Sequence, residues 1–181
     1  MSFLELVKKR RSVRSYLDRP VEREKIERCL EAARLAPSAC NSQPWSFVVV
    51  DDPQLKDRVA AETHAPLIPL NRFTHKAPVL IVIIAESPNL TSQIGGALTG
   101  RQFNLIDIGM ACEHLCLQAV EEGLGTCIMG WFDEKAVKSL LGIPDKKRVA
   151  LIISLGYPAT DELRVKQRKR LEQIVSYNQF R

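Results

Sequence analysis

From Leu105 to Val120 apolar side chains recur almost without a gap: Leu105, Ile106, Ile108, Met110, Ala111, Cys112, Leu115, Cys116, Leu117, Ala119 and Val120. Asp107, His114, Gln118 and Glu121 mark a narrow polar stripe. This pattern predicts a helix, and a helix so apolar around its circumference must be covered on most sides. Gly123 and Gly125 end it. It is the core element around which the other segments have to pack.

Those segments are legible in outline. Ser2 caps a short helix through Lys9. Ile26, Cys29, Leu30 and Ala33 recur at helical spacing among charged residues, which predicts an amphipathic helix from about Glu22 to Ala36, stopped by Pro37. Asp51-Asp52-Pro53 opens another to about Ala61, and Asp133 to Leu141 forms a third, capped at Gly142. Strands are expected at Phe47 to Val50, Val79 to Ala85, Thr126 to Met129 and Val149 to Leu155. His64 to Lys76 and Glu86 to about Gly100 are expected to be irregular. A chain of 181 residues is most simply one domain, 1–181, able to bury roughly 70% of its unfolded surface.

The longest apolar runs, Ala77 to Ala85 and Val149 to Leu155, fall well short of the ~20 residues of a membrane helix. Met1 to Val7 precedes its positive charges instead of following them, unlike an export signal. Five cysteines, an odd count outside any secretory context, favour reduced thiols. The expectation is a cytoplasmic protein with no membrane partner.

Charge is concentrated. Lys8 to Arg14 carries five cations, and so does Arg164 to Arg170 near the other terminus. Without those ten, the remaining 16 Lys and Arg face 21 Asp and Glu, so the net +5 comes entirely from two short patches. Two solvated surfaces are the plain reading of such runs. Their isolation from acids, with Ser12 between Arg11 and Arg14, points instead to one multiply charged anion such as a phosphate. Neither patch contains an aromatic residue on which bases could stack, which argues against a nucleic-acid partner. A second polar feature is the loop Pro37-Ser38-Ala39-Cys40-Asn41-Ser42-Gln43-Pro44-Trp45, suited to presenting amides and hydroxyls to a ligand.

Other motifs fail. Gly95 to Gln102 has the glycine spacing of a phosphate-binding loop, but Arg101 and Gln102 replace the Lys and Ser/Thr it requires. Gly123-Leu124-Gly125 lacks the third glycine of a dinucleotide fingerprint and follows a helix. Cys112 and Cys116 flank His114 without a second ligand pair at zinc spacing, so they read as core thiols and no metal is expected. Cys40 is the one candidate reactive thiol, and His64, His75 and His114 form no triad.

With these pieces in place the chain resembles the FMN-dependent nitroreductase family over essentially its whole length. The likeness is carried by Arg10-Arg11-Ser12-Val13-Arg14, by Pro37-Ser38 through Gln43-Pro44-Trp45, by Asp107-Ile108-Gly109, by Gly123 to Gly130, and by Leu155-Gly156-Tyr157-Pro158 with its basic tail. The resemblance implies an α+β fold, a central mixed sheet flanked by helices, and a homodimer whose C-terminal extension, here Leu171 to Phe180, wraps the partner. It implies FMN at the subunit interface and NAD(P)H as electron donor. Carried over, Arg10, Arg11, Ser12 and Arg14 contact the FMN phosphate and ribityl chain, and Lys166 and Arg168 form a second cationic clamp. Pro37, Ser38, Asn41 and Gln43 belong to the loop that the other subunit lays against the flavin ring, and Ile128, Met129 and Gly130 to the segment whose backbone approaches it. Larger members place an acid where Met129 stands, which leaves backbone contact there. The substrate lid is not assigned within Asp51 to Asn104.

The resemblance further implies that hydride chemistry resides in the cofactor and that no protein residue is a catalytic nucleophile. A nitroaromatic, quinone-like or other electron-poor small molecule would be reduced by ping-pong transfer. The alternatives are a dehalogenating or flavin-consuming enzyme of the same fold and, in another class, a non-catalytic flavin-binding or nucleic-acid-binding protein.

Overall fold

The computed structural model describes residues 2–64, 70–162 and 165–180. Four strands, β1 (Trp45–Val50), β2 (Val79–Ala85), β3 (Gly125–Met129) and β4 (Arg148–Gly156), make one sheet in the order β1-β2-β4-β3. The central pair reads in sequence as predominantly apolar runs because each is covered on both faces. Val79, Ile81 and Ile83 of β2 join one core cluster with Ile153 and Leu155 of β4, while Leu80, Val82 and Ile84 join the other with Val149 and Ile152. That is the period-two alternation of a strand with two buried faces.

The expected mixed sheet is corrected: all three strand pairings are antiparallel. Among the described residues the parallel contribution is a single bridge, Ser12 to Thr126. The basic segment meets β3 at that one pair and then crosses to Tyr157 and Ala159, so it never runs beside β3 far enough to become a strand.

The long apolar helix spans α5 (Phe103–Glu121) and packs on the first face with α2 (Arg23–Arg34). Ile108, Ala111, Cys112, Leu115, Cys116 and Ala119 are in that core. Arg28 pins the pair by donating in a bidentate fork to Glu122, 2.7 Å for each bond. The predicted stripe is broken in two places. Leu105 and Ile106 are exposed at the start of α5, and Asp107 is buried, for a reason given below. His114 of that stripe makes a hydrogen bond between Nδ1 and the Ala32 carbonyl at 3.3 Å. The second face is covered by α3 (Pro53–Ala61) and α6 (Glu134–Leu141), capped by Asp52 and Asp133 side chains. α1 (Phe3–Lys9) has the Ser2–Glu5 capping box.

Glu86 to Gly100 is not the irregular segment the sequence predicts. It contains α4 (Leu90–Thr99), started by Asn89, whose side chain accepts from Ser92 N, and stopped by Gly100 in the left-handed conformation. Arg72–Lys76 forms a 3₁₀ turn, while 65–69 of the other stretch expected to be irregular, and Arg164 of the second patch, lie outside the described residues. No described helix is long and apolar enough to cross a membrane.

Candidate functional site

The two basic patches meet. Arg10, Arg11, Ser12 and Arg14 line one cavity of about 400 Å³ together with Lys166 and Arg168, contributed from the other end of the chain. The first group is stapled to the sheet: Val13 N donates to the Thr126 carbonyl at 2.8 Å and Leu17 N to the Tyr157 carbonyl at 2.9 Å. Tyr16, buried between them, shares a 2.8 Å hydrogen bond with Ser154 Oγ and donates to the Val13 carbonyl at 2.9 Å. Gly125 and Gly156 are required by this close approach. A Cβ at Gly125 would lie 2.9 Å from Val13 Cβ, and one at Gly156 2.9 Å from Tyr16 Cδ1.

The cations differ in their surroundings. Arg10 faces the Glu113 carboxylate at 3.6 Å, and Glu113 is 46% exposed. Arg11 is committed elsewhere: its guanidinium donates to the carbonyls of Thr160 and Glu162 and so ties the start of the tail to the cavity rim. Lys166 donates to the Val7 carbonyl at 2.7 Å. Burial, then the charges of Arg10 and Arg168, hold its ammonium below the usual lysine range, with Glu113 opposing only weakly. Burial is the larger cause, and the arginine charges add to it, so a bound anion would favour the charged lysine. Ser15, Thr160, Glu162 and Val165 also line the cavity, and none of them carries a cation by which the sequence would mark it for an anion site.

The other expected residues are not in that cavity. Pro37, Ser38, Asn41 and Gln43 lie on the loop before β1, with Gln43 lining a separate hollow formed with Trp45, Phe47 and α2. Ile128 is exposed on edge strand β3, Gly130 is exposed just beyond it, and the Met129 side chain is buried in the second core cluster. Within one chain, the polar loop and the Ile128 to Gly130 segment stand apart from the cationic cradle.

The loop itself is strained and heavily tied. Cys40, Asn41 and Gln43 have φ of 51°, 52° and 47°, a conformation costing about 1–2 kcal/mol per residue, least for Asn. Four bonds from outside hold it. Both oxygens of Asp107 accept from Ala39 N, at 3.2 and 3.1 Å, which explains why a carboxylate is buried in the most apolar helix of the chain. Asn89 Nδ2 donates to the Cys40 carbonyl at 2.9 Å, Asn89 N to Ser42 Oγ at 2.7 Å, and Ser92 Oγ to the Ala39 carbonyl at 2.8 Å. One charged bond of about 1.5–3 kcal/mol and three neutral ones of about 0.5–1.5 each match the strain they oppose.

Of the five cysteines, only Cys40 is exposed. Burial pushes the Cys29 and Cys112 thiols up to about 12 and Cys116 to about 11, in keeping with core roles.

A sequence model of the Nitroreductase family matches residues 7–157, the interval that holds the first basic segment, the polar loop, α5 and the whole sheet. The chain belongs to the nitroreductase family. Among its nitroreductase relatives, the "Putative NADH dehydrogenase/NAD(P)H nitroreductase" of Archaeoglobus fulgidus is 36% identical over 164 residues, covering 88% of this chain and 87% of the relative. The "Iodotyrosine deiodinase 1" of Rattus norvegicus is 28% identical over 196 residues, 96% of this chain and 68% of the relative. Among solved structures, an "FMN-dependent Nitroreductase" from Clostridium difficile R20291 superposes with a TM-score of 0.78 at 30% identity, covering 98% of this chain and all of that one. This nitroreductase-family chain is accordingly an oxidoreductase.

Proposed function

We propose that the cationic cavity holds the phosphate of FMN, that NAD(P)H is the electron donor, and that the acceptor is a nitroaromatic, quinone-like or otherwise electron-poor small molecule. The observation that carries this reading is the convergence of Arg10, Arg14, Lys166 and Arg168, from opposite ends of the chain, on one cavity; burial, and then Arg10 and Arg168, disfavour the Lys166 ammonium there. A phosphate of charge near −2 would offset that penalty and give Arg10, Arg14, Lys166 and Arg168 a shared anionic partner. Ser12, exposed at the cavity wall, is placed to add a hydroxyl donor.

FMN held by these residues would supply the hydride chemistry between nicotinamide and acceptor, so the chain would need no nucleophile of its own. The protein's part is to bind, orient and polarise. Asn41 and Gln43 bring side-chain amides, held by the strained loop, as donors for charge developing on the ring. Because that loop lies outside the cradle in one chain, the complete site is proposed to form between two copies. Supporting this are the exposed Leu90, Ile94 and Leu98 of α4, at 72%, 52% and 83%, and a tail whose Leu171, Ile174, Tyr177 and Phe180 are all uncovered.

The likeness to iodotyrosine deiodinases supports a second reading, reductive removal of halide from an aromatic substrate by the same cofactor. Visible absorption of the purified protein, before and after anaerobic NADH or NADPH, tests both. A yellow protein bleached by either donor is expected. Nitroaromatic turnover then favours the first reading, and halide release from a halotyrosine the second. A colourless protein that takes up no added FMN would overturn both.

A further inference from the structure

We propose that Asn89 and Ser92, at the entry of α4, are positioning residues that hold the Ala39–Gln43 loop in its cofactor-competent form. This rests on the proposed placement of that loop against the flavin ring. Three non-glycine residues with φ near 50° do not persist in a four-residue stretch without outside support. Three of the four bonds that supply it come from Asn89 and Ser92. Ser92 is the only buried residue of α4, and its hydroxyl is spent on the Ala39 carbonyl. The one buried residue of that helix is therefore tied to the loop.

Asn89 performs two separable tasks. Its Oδ1 accepts from Ser92 N at 3.0 Å and caps the helix, while its Nδ2 donates to the Cys40 carbonyl. Asp107 holds the loop from the opposite side through Ala39 N, so the loop is suspended between α4 and α5. Asn89→Asp keeps the cap acceptor and replaces the Nδ2 donor by a carboxylate oxygen facing the Cys40 carbonyl. It removes one of the four ties and sets two oxygens against each other at Cys40, without removing the cap.

The test uses the full-length protein. FMN dissociation constants come from flavin fluorescence quenching, and hydrogen exchange of the peptide spanning 37–45 is measured without flavin. For Asn89→Asp and Ser92→Ala we expect FMN Kd to rise about tenfold, as it does when only one loop in ten is competent. Exchange in 37–45 should be faster, and the absorption maximum of bound flavin should move. Thermal midpoints should stay near the parent's, and Ser92→Thr, which keeps a hydroxyl, should restore tight binding. Gln43→Ala is the control. If it weakens FMN while Asn89→Asp and Ser92→Ala change neither Kd nor exchange, the loop touches the cofactor but α4 does not position it, and this inference fails alone. If Gln43→Ala also leaves Kd unchanged, the loop is absent from the site and the inference falls with the placement on which it rests. Should Ser92→Ala not fold, Asn89→Asp decides by itself.

Discussion

Arg10→Ala separates a binding cation from a structural one. Among the described residues Arg10 pairs with one carboxylate, Glu113 at 3.6 Å, nearly half exposed. Such a pair is worth about 0–1 kcal/mol. The backbone N–H of Arg10, which donates to the Leu6 carbonyl at the end of α1, survives the substitution. Stability without flavin should therefore fall by no more than about 1 kcal/mol in urea denaturation. It has a compensating gain, because Arg10 is the largest charge acting against the Lys166 ammonium. With a phosphate bound the balance is different: loss of one charge-assisted bond costs about 1.5–3 kcal/mol, a rise in FMN Kd of about 10- to 150-fold. A second signature is in the pH dependence. Lys166 has a folded-state pKa below its ordinary 10.5, so the unfolded chain binds the extra proton, and the flavin-free protein gains stability as pH rises from the lowered value toward 10.5. Arg10→Ala should flatten that alkaline gain. Unchanged FMN affinity would remove Arg10 from the site. A loss of more than about 2 kcal/mol without flavin would show that its role is structural instead.

Three further outcomes follow from the geometry. Gly125→Ala places a Cβ 2.9 Å from that of Val13, a stiff residue pinned by the Thr126 carbonyl, and should cost about 1–3 kcal/mol in urea denaturation while weakening FMN binding. Glu22 accepts from Tyr157 Oη at 2.5 Å and also pairs with Arg19, and its carboxyl is lowered from 4.5 to about 2. Its stabilising contribution is complete above pH 4.5 and lost as pH falls through about 2, so Glu22→Gln should show a shallower acid decline in that window by circular dichroism. Ellman titration at pH 8 should count one fast thiol in the native protein, Cys40, and five after denaturation.

The sequence exposes those features whose cause is local or compositional. Ten cations are gathered into two windows of an otherwise acidic chain, and the fold brings Arg10, Arg14, Lys166 and Arg168 of those windows to one cavity. Apolar runs announce β2 and β4, and capping residues announce α1, α3 and α6. What a single chain hides is any role settled by a long-range partner. Asp107 reads as part of a solvated stripe, yet it is buried, because its acceptor capacity is used by an amide 68 positions away. Arg11 sits in the same basic run as Arg10, but is turned to carbonyls about 150 residues on.

The failure at α4 has the same origin and says the most about the site. Two adjacent glycines lower its helix propensity, and its large apolar residues, Leu90, Ile94 and Leu98, fall at i, i+4 and i+8 on a face uncovered in this chain. Neither intrinsic preference nor this chain's own core explains the helix. What fixes its first turn is the Asn89 cap and the Ser92 hydroxyl, and Ser92 Oγ and Asn89 Nδ2 both end on carbonyls of the strained loop. A helix weak by itself and a loop strained by itself thus stabilise each other, each supplying hydrogen bonds the other lacks. A partner that covers Leu90, Ile94 and Leu98 would strengthen α4 and, through those bonds, the loop. Assembly and cofactor binding would then be thermodynamically linked: dilution to monomer should weaken FMN binding even though every cradle cation remains in place.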